Sequence, residues 1–294
     1  MSGVNSVCDE NTVEESLTYL GEMSRRDFSK AAVRSALAIS LPLAFGAEAV
    51  VSSNVSIETP DGIGDALFAH PAEGAHPAVL MWPDILGLRP AFQKMAIRLA
   101  QSGYAVLCVN PYYRDSAAPV VEVGETFGDA STREKVTPMY RKLNARTHQT
   151  DAIAFTQWLD AQQAVNSNRK IGTMGYCMGG PIVFRTAAAS PNRIGAACSY
   201  HGGGLVTKAS DSPHLLIPSM KAKFLIAIAE NDDERDPNAT MVLASDFEKH
   251  GLSADIEVYE DAMHGWCVID SPVYSHASAE KAWARTLVLF NEAL

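Results

Sequence analysis

The sequence has little of what marks several large protein classes. Five cysteines in 294 residues are far too few for a disulfide scaffold. None of them forms a C-x-x-C pair, which argues against a dithiol redox protein. No Cys/His cluster has zinc-ligand spacing, so neither a metal nor a cofactor is expected. Gly and Pro together are 35 residues, about 12% of the chain, which excludes collagen-like and low-complexity classes. Positive charge is scarce: 24 Lys and Arg stand against 34 Asp and Glu, for a net charge of −10. A nucleic-acid partner is therefore not expected, because phosphate binding needs a basic face. There is no internal repeat, no Pro/Ser-rich linker and no charge block. What is present is 47% hydrophobic residues, enough for a sizeable core.

The first fifty residues differ from the rest. Ser24-Arg25-Arg26-Asp27-Phe28-Ser29-Lys30 precedes an apolar, small-residue run from Ala31 to Phe45, then Ala47-Glu48-Ala49. Basic stretch, short apolar stretch and A-x-A site follow in the order of an export signal. The uninterrupted apolar part, Ser35 to Leu41, is too short to span a bilayer core of about 30 Å, so no stable membrane span is expected in the mature form. The arginine pair with Phe28 and Lys30 resembles the twin-arginine motif, with Ser29 where Leu is usual. That resemblance implies the twin-arginine export machinery as a partner and a periplasmic location. The competing reading is an amphipathic N-terminal helix with an incidental Arg pair. Residues 1–49 are expected to be the signal and residues 50–294 one catalytic domain. The leader carries four basic and seven acidic residues, so the mature net charge is −7.

Along the mature chain, short apolar runs alternate with helical patterns. Strands are expected at Ala78–Trp82, Tyr104–Val109, Lys170–Met174, Ile194–Tyr200, Lys223–Ala229 and Ala254–Tyr259. Helices are expected at Pro90–Ser102, residues 147–163, Pro181–Ala189, Asn238–His250 and Ser278–Ala293. This alternation predicts an α/β fold, a mostly parallel sheet with helices on both faces. Asp115 to Val136 is poorly periodic and is expected to be a long ordered loop beside the ligand site.

Gly175-Tyr176-Cys177-Met178-Gly179-Gly180 lies between a strand and a helix and fits G-x-nucleophile-x-G with Cys for Ser. The helix dipole there favours a thiolate. A Gly-rich turn holding an inert buried Cys is the alternative, as expected for Cys108 and Cys198 within apolar strands. An acid and a histidine should follow in that order. Asp232 follows one strand, with Asp233 as its rival, and His264 follows the next. His70, His76, His148, His214, His250 and His276 sit in polar contexts expected to be solvated.

At these motifs, with Glu230-Asn231-Asp232 and His264-Gly265-Trp266, the chain resembles the dienelactone hydrolase family of α/β-hydrolases. The likeness runs from about Val55 to Leu294 and includes Pro83-Asp84-Ile85-Leu86-Gly87-Leu88 and Asn110-Pro111-Tyr112-Tyr113-Arg114. It implies hydrolysis of a small-molecule ester or lactone substrate. It implies a Cys177–His264–Asp232 triad acting through an acyl-enzyme, with backbone N–H groups of Met178 and Ile85 as the oxyanion hole. Asp84 falls where the family has a Glu that interacts with the resting thiol. Arg114 matches one of two substrate-binding arginines; Val268 stands where the second would be, and Arg114 could equally be a surface Arg paired with an acid. His201-Gly202-Gly203-Gly204 comes after the nucleophile and is expected to be a flexible pocket wall, with Tyr200 or His201 touching ligand. Trp82 and Trp266 are expected either to line the cleft or to pack in the core. The two departures, Asp84 and Val268, favour an alternative: a non-catalytic exported small-molecule binding protein on the same scaffold. The oligomeric state is left open.

Overall fold

The structure, a computed structural model, describes residues 49–294. The export-signal reading therefore lies outside the described residues, apart from Ala49. Eight strands form one sheet: β1 (Val50–Thr59), β2 (Gly62–Pro71), β3 (Ala78–Trp82), β4 (Ala105–Val109), β5 (Ile171–Tyr176), β6 (Ile194–Tyr200), β7 (Lys223–Ala229) and β8 (Ala254–Tyr259). Their spatial order is β1-β2-β4-β3-β5-β6-β7-β8. The first two pairings, β1 with β2 and β2 with β4, are antiparallel. The six strands from β4 to β8 are parallel to one another. The helices are α1 (Pro90–Ala100), α2 (Ala130–Tyr140), α3 (Ala145–Asp160), α4 (Gly179–Ala189), α5 (Glu230–Arg235), α6 (Pro237–Lys249) and α7 (His276–Ala293).

The central strands are apolar throughout because both faces of the sheet are covered. In β3, Leu80 and Trp82 face the α3/α4 side, and Val79 and Met81 face the α1/α7 side. Helix α1 buries Phe92, Met95, Ala96 and Leu99, a 3.6-period stripe, beside Ala282 and Phe290 of α7. Helix α3 buries Ala152, Phe155 and Leu159 of the four residues that the sequence pattern turns inward, the fourth, Ala154, being only half-buried, and Asn144 closes its start with a capping box to Thr147. Fully burying a Phe or Leu contributes roughly 1.5–3 kcal/mol, so each stripe outweighs a cap of about 1 kcal/mol.

The expected strands all form, to within two residues at their ends. The hairpin β1–β2 was not legible: β1 is half serine, asparagine and threonine with an exposed outer face. Residues 115–136 are not one loop, because α2 starts at Ala130; only Thr132 and Val136 of that helix are buried, which leaves almost no apolar period to read. Among the described residues no helix is long and apolar enough to cross a membrane.

Two histidines are not solvated. His148 in α3 is buried, and its Nδ1 accepts from the Arg185 guanidinium at 3.0 Å. Burial, then the charges of Arg185 and Arg114, push its pKa from 6.5 down to about 3. His201, just after β6, is held well below 6.5, first by burial and then by the neighbouring His264. Both are neutral in the fold and protonate freely in the unfolded chain. The stability they contribute is complete above pH 6.5 and is lost as pH falls, by up to about 1.4 kcal/mol per pH unit for each group. Urea unfolding between pH 7 and pH 4.5 should show this decline, with a shallower slope in His148→Gln. Equal slopes in the two proteins would remove His148 from the account.

Candidate active site

Residues at the C-terminal ends of β3, β5, β6, β7 and β8 meet on one rim of the sheet, the edge where open α/β folds bind ligands. The turn from β5 into α4 sets the arrangement. Cys177 has φ +52°, a left-handed conformation that costs a non-glycine residue about 1–2 kcal/mol. The turn closes because three glycines allow it. A Cβ on Gly175 would lie 2.3 Å from the Gly179 carbonyl oxygen. One on Gly179 would lie 2.5 Å from the Trp82 oxygen, and one on Gly180 2.5 Å from the Gly202 Cα. The Cys177 N–H donates to the Tyr200 carbonyl at 3.0 Å, fastening the elbow to the next strand.

The acid and the histidine are stapled to one another by three successive residues of α5. Glu230 donates its N–H to the Ala262 carbonyl at 2.9 Å and accepts the Asp261 N–H at 2.9 Å. Asn231 Oδ1 accepts the His264 N–H at 2.8 Å. Asp232 Oδ2 then lies 2.7 Å from His264 Nδ1. A carboxylate only accepts, so Nδ1 carries the proton. Asp233 accepts instead from the Thr240 hydroxyl, which separates the two rivals. His264 also hydrogen-bonds Cys177 through its side chain. Burial would lower its pKa, but the charges of Asp232 and Cys177 and their hydrogen bonds outweigh it and hold His264 well above 6.5. The structure thus brings Cys177, His264 and Asp232 together, with Cys177 and His264 both buried.

The other thiols among the described residues are poor nucleophiles. Burial pushes Cys198 up to about 12, and Cys108 and Cys267 are raised too.

Ile85, in the loop after β3, and Met178, in the elbow itself, share one neighbour. The Tyr112 hydroxyl donates to the Ile85 carbonyl at 2.7 Å and contacts Met178 Sδ at 3.3 Å, so one phenol holds both. Asp84 lies beside them. Its Oδ1 accepts from Leu86 N–H at 2.9 Å and Arg89 Nη1 at 2.7 Å, and its Oδ2 from Arg89 Nη2 at 2.9 Å. Arg89 and its second partner, Asp270, were missed in the sequence. The available signal was an Arg directly before the Pro that starts α1, where a helix N-terminus disfavours a cation unless acids surround it.

Four expected ligand contacts find other work. Arg114 is paired with Asp61 at 2.8 Å and Asp151 at 2.7 Å and lies over the Tyr113 ring. Tyr200 points to the opposite face of the sheet, stacked on Tyr176 and bonded to the Thr286 hydroxyl. Trp82 packs against Phe155, and Trp266 stacks on Tyr259; both are fully buried, so core packing accounts for them. His201 does reach the site: its ring stands edge-on to His264 at 4.8 Å, and neither ring nitrogen has a protein partner. Gly202 to Gly204 line a cavity of about 370 Å³ that opens beside Asp232 and is floored by Leu205, Ile228 and Leu243.

A parallel sheet with a strained nucleophile-type elbow and an acid and a histidine on the following strand ends defines an α/β-hydrolase. The dienelactone hydrolase family model matches residues 65–294, and the chain belongs to that family. Among curated relatives, the carboxymethylenebutenolidase of Pseudomonas putida is 24% identical over 239 residues, 81% of this chain and 95% of that protein. Carboxymethylenebutenolidase 1 of Cupriavidus pinatubonensis is 26% identical over 227 residues, 76% of this chain and 89% of that one. Among solved structures, a dienelactone hydrolase-like promiscuous phosphotriesterase from metagenomic libraries superposes with a TM-score of 0.68 at 19% identity, covering 83% of this chain and 99% of that one. The dienelactone hydrolase of Anabaena variabilis gives 0.60 at 17%, with 83% and 99% covered. At these identities the structural likenesses establish the fold alone.

The glycine packing gives a direct expectation. Gly175→Ala should lower the unfolding free energy by several kcal/mol or prevent folding, since the carbonyl it would meet is backbone and cannot move aside. A thermal melt within a degree of the unaltered protein would show that the turn has slack.

Proposed function

We propose that this hydrolase cleaves a small carboxylic ester or lactone through a Cys177 acyl-enzyme; the names of its carboxymethylenebutenolidase relatives support the lactone substrate class. The observation that supports the reading is His264, anchored at Nδ1 by Asp232 and bonded to Cys177. In that geometry the thiol proton resides on His264 Nε2, and Asp232 stabilises the imidazolium. The Cys177 thiolate attacks the carbonyl carbon. The developing oxyanion is met by the Ile85 and Met178 N–H groups. Collapse expels the alkoxide, which takes the His264 proton, and leaves a thioester. Water then attacks the thioester carbonyl while His264 removes its proton, and the thiolate departs with the acid released. We assign no proton transfer to Asp84, whose two oxygens already hold three N–H donors.

Purified protein should hydrolyse a chromogenic short-chain ester or a butenolide lactone, and Cys177→Ala should lose all turnover above background. Full activity in that variant would dismiss the thiol mechanism in favour of another nucleophile, whereas no turnover in the unaltered protein would favour the binding-protein alternative. The pH profile supplies a second check. Asp232 raises His264, so the alkaline limb of kcat/KM should lie well above pH 6.5 and move down in Asp232→Asn, with kcat cut on the order of 10²–10⁴-fold. A limb that stays in place would detach Asp232 from His264.

We further propose that Arg25 and Arg26 direct twin-arginine export to the periplasm, with cleavage after Ala49; the support is the order of motif, apolar run and A-x-A site. Replacing both arginines with Lys should retain the chain in the cytoplasm, and unchanged export would refute the assignment.

A further inference from the structure

The guanidinium of Arg89 joins two loops that the proposed chemistry needs in fixed relation. Arg89 precedes α1 and is 5% exposed at its side chain. Toward the loop after β3 it gives Nη1 to Asp84 Oδ1 at 2.7 Å, Nη2 to Asp84 Oδ2 at 2.9 Å and Nη1 to the Gly87 carbonyl at 3.3 Å. Toward the loop after His264 it gives Nε to Asp270 Oδ2 and Nη2 to Asp270 Oδ1, each at 2.8 Å. All five of its donors are used, in two bidentate forks. Its plane lies over the Phe92 ring at 5.0 Å, which fixes it from below. Asp84 is the residue before Ile85, and Asp270 is six residues after His264.

We propose that Arg89 is a positioning residue that sets the distance between the oxyanion loop at Ile85 and the base loop at His264 by clamping Asp84 to Asp270. This rests on the triad reading, since only there do the two loops have to cooperate. The physical argument is rigidity. Each loop is otherwise held within itself, by turns such as Gly87 N–H to Asp84 O at 2.9 Å and Ser271 N–H to Val268 O at 2.9 Å. Neither turn crosses between the loops. A lysine cannot replace the clamp, because one ammonium offers no planar double fork. A hydrophobic tie of the same reach would leave the buried Asp84 carboxylate with the Leu86 N–H alone and its charge uncompensated.

Asp270 is the safest place to test the clamp. It is 44% exposed at its side chain, and its removal leaves the buried Arg89–Asp84 pair intact. In Asp270→Ala, kcat for ester hydrolysis should fall on the order of ten- to a hundredfold with KM nearly unchanged, and Asp270→Asn, which keeps one acceptor, should fall between the two. Arg89→Lys should lose kcat similarly while staying folded. Arg98→Met, also on α1 but paired with Glu280 on the surface, should keep full turnover. Amide hydrogen exchange should accelerate about tenfold in both residues 83–88 and 265–275 of Asp270→Ala. Unaltered exchange in both loops overturns the tie. Faster exchange with unaltered kcat overturns the positioning role. If the unaltered protein hydrolyses no ester, the proposed function fails by itself, and the exchange measurement still decides whether the clamp exists.

Discussion

A left-handed residue between β5 and α4 governs this molecule. Cys177 adopts φ +52° because its neighbours leave no room for a wider turn: Gly175 against Gly179, Gly179 against the end of β3, Gly180 against Gly202. The strain is small, about 1–2 kcal/mol, and is spread over contacts that a single Cβ would break. The consequence is positional. The elbow lifts Cys177 above the sheet edge and aims α4 at it, so the thiol meets both a helix N-terminus and the loops from the flanking strands. His201 adopts φ +37° one strand away and packs its ring against His264, so a second strained turn backs the first.

The other parts of the site depend on the same rim through short connections. Glu230 makes two bonds to the loop of His264 and Asn231 and Asp232 one each, and the bond from Asp232 is the one that orients the imidazole. Asp232 keeps His264 cationic against strong burial, which is the charge state that an ion pair with Cys177 requires. Charge elsewhere near the site is balanced internally. Arg114 is closed off by Asp61 and Asp151, and Arg89 by Asp84 and Asp270. Each guanidinium therefore serves the framework, and the carboxylate-binding role that the family resemblance implies for Arg114 would require breaking two ion pairs.

The sheet, its parallel order and the elbow were legible because they rest on local chemistry. Buried parallel strands read as apolar runs, and the glycines around Cys177 are demanded by backbone contact. Asp232 and His264 were legible from chain order at strand ends. What the sequence concealed was long-range partnership. Asp270 lies 181 residues from Arg89, and a cation at the start of α1 calls for acids without saying which ones. Tyr200 adjoins His201 in the chain, yet it is the last residue of β6 and bonds Thr286, while the left-handed turn at His201 (φ +37°) swings the next ring to His264. Trp82 and Trp266 show that aromatic residues near a motif can belong wholly to the core. The β1–β2 hairpin stayed hidden because an edge hairpin with a polar outer face lacks the apolar signal of the interior strands.

Trapping the covalent intermediate tests the central claim most directly. Rapid mixing of the protein with a slowly deacylating ester, acid quench and intact mass measurement should show one added acyl group, mapped by peptide fragmentation to Cys177 and absent from Cys177→Ala. An acyl group on another residue, or ester turnover with no acylated protein at any mixing time, would contradict the account.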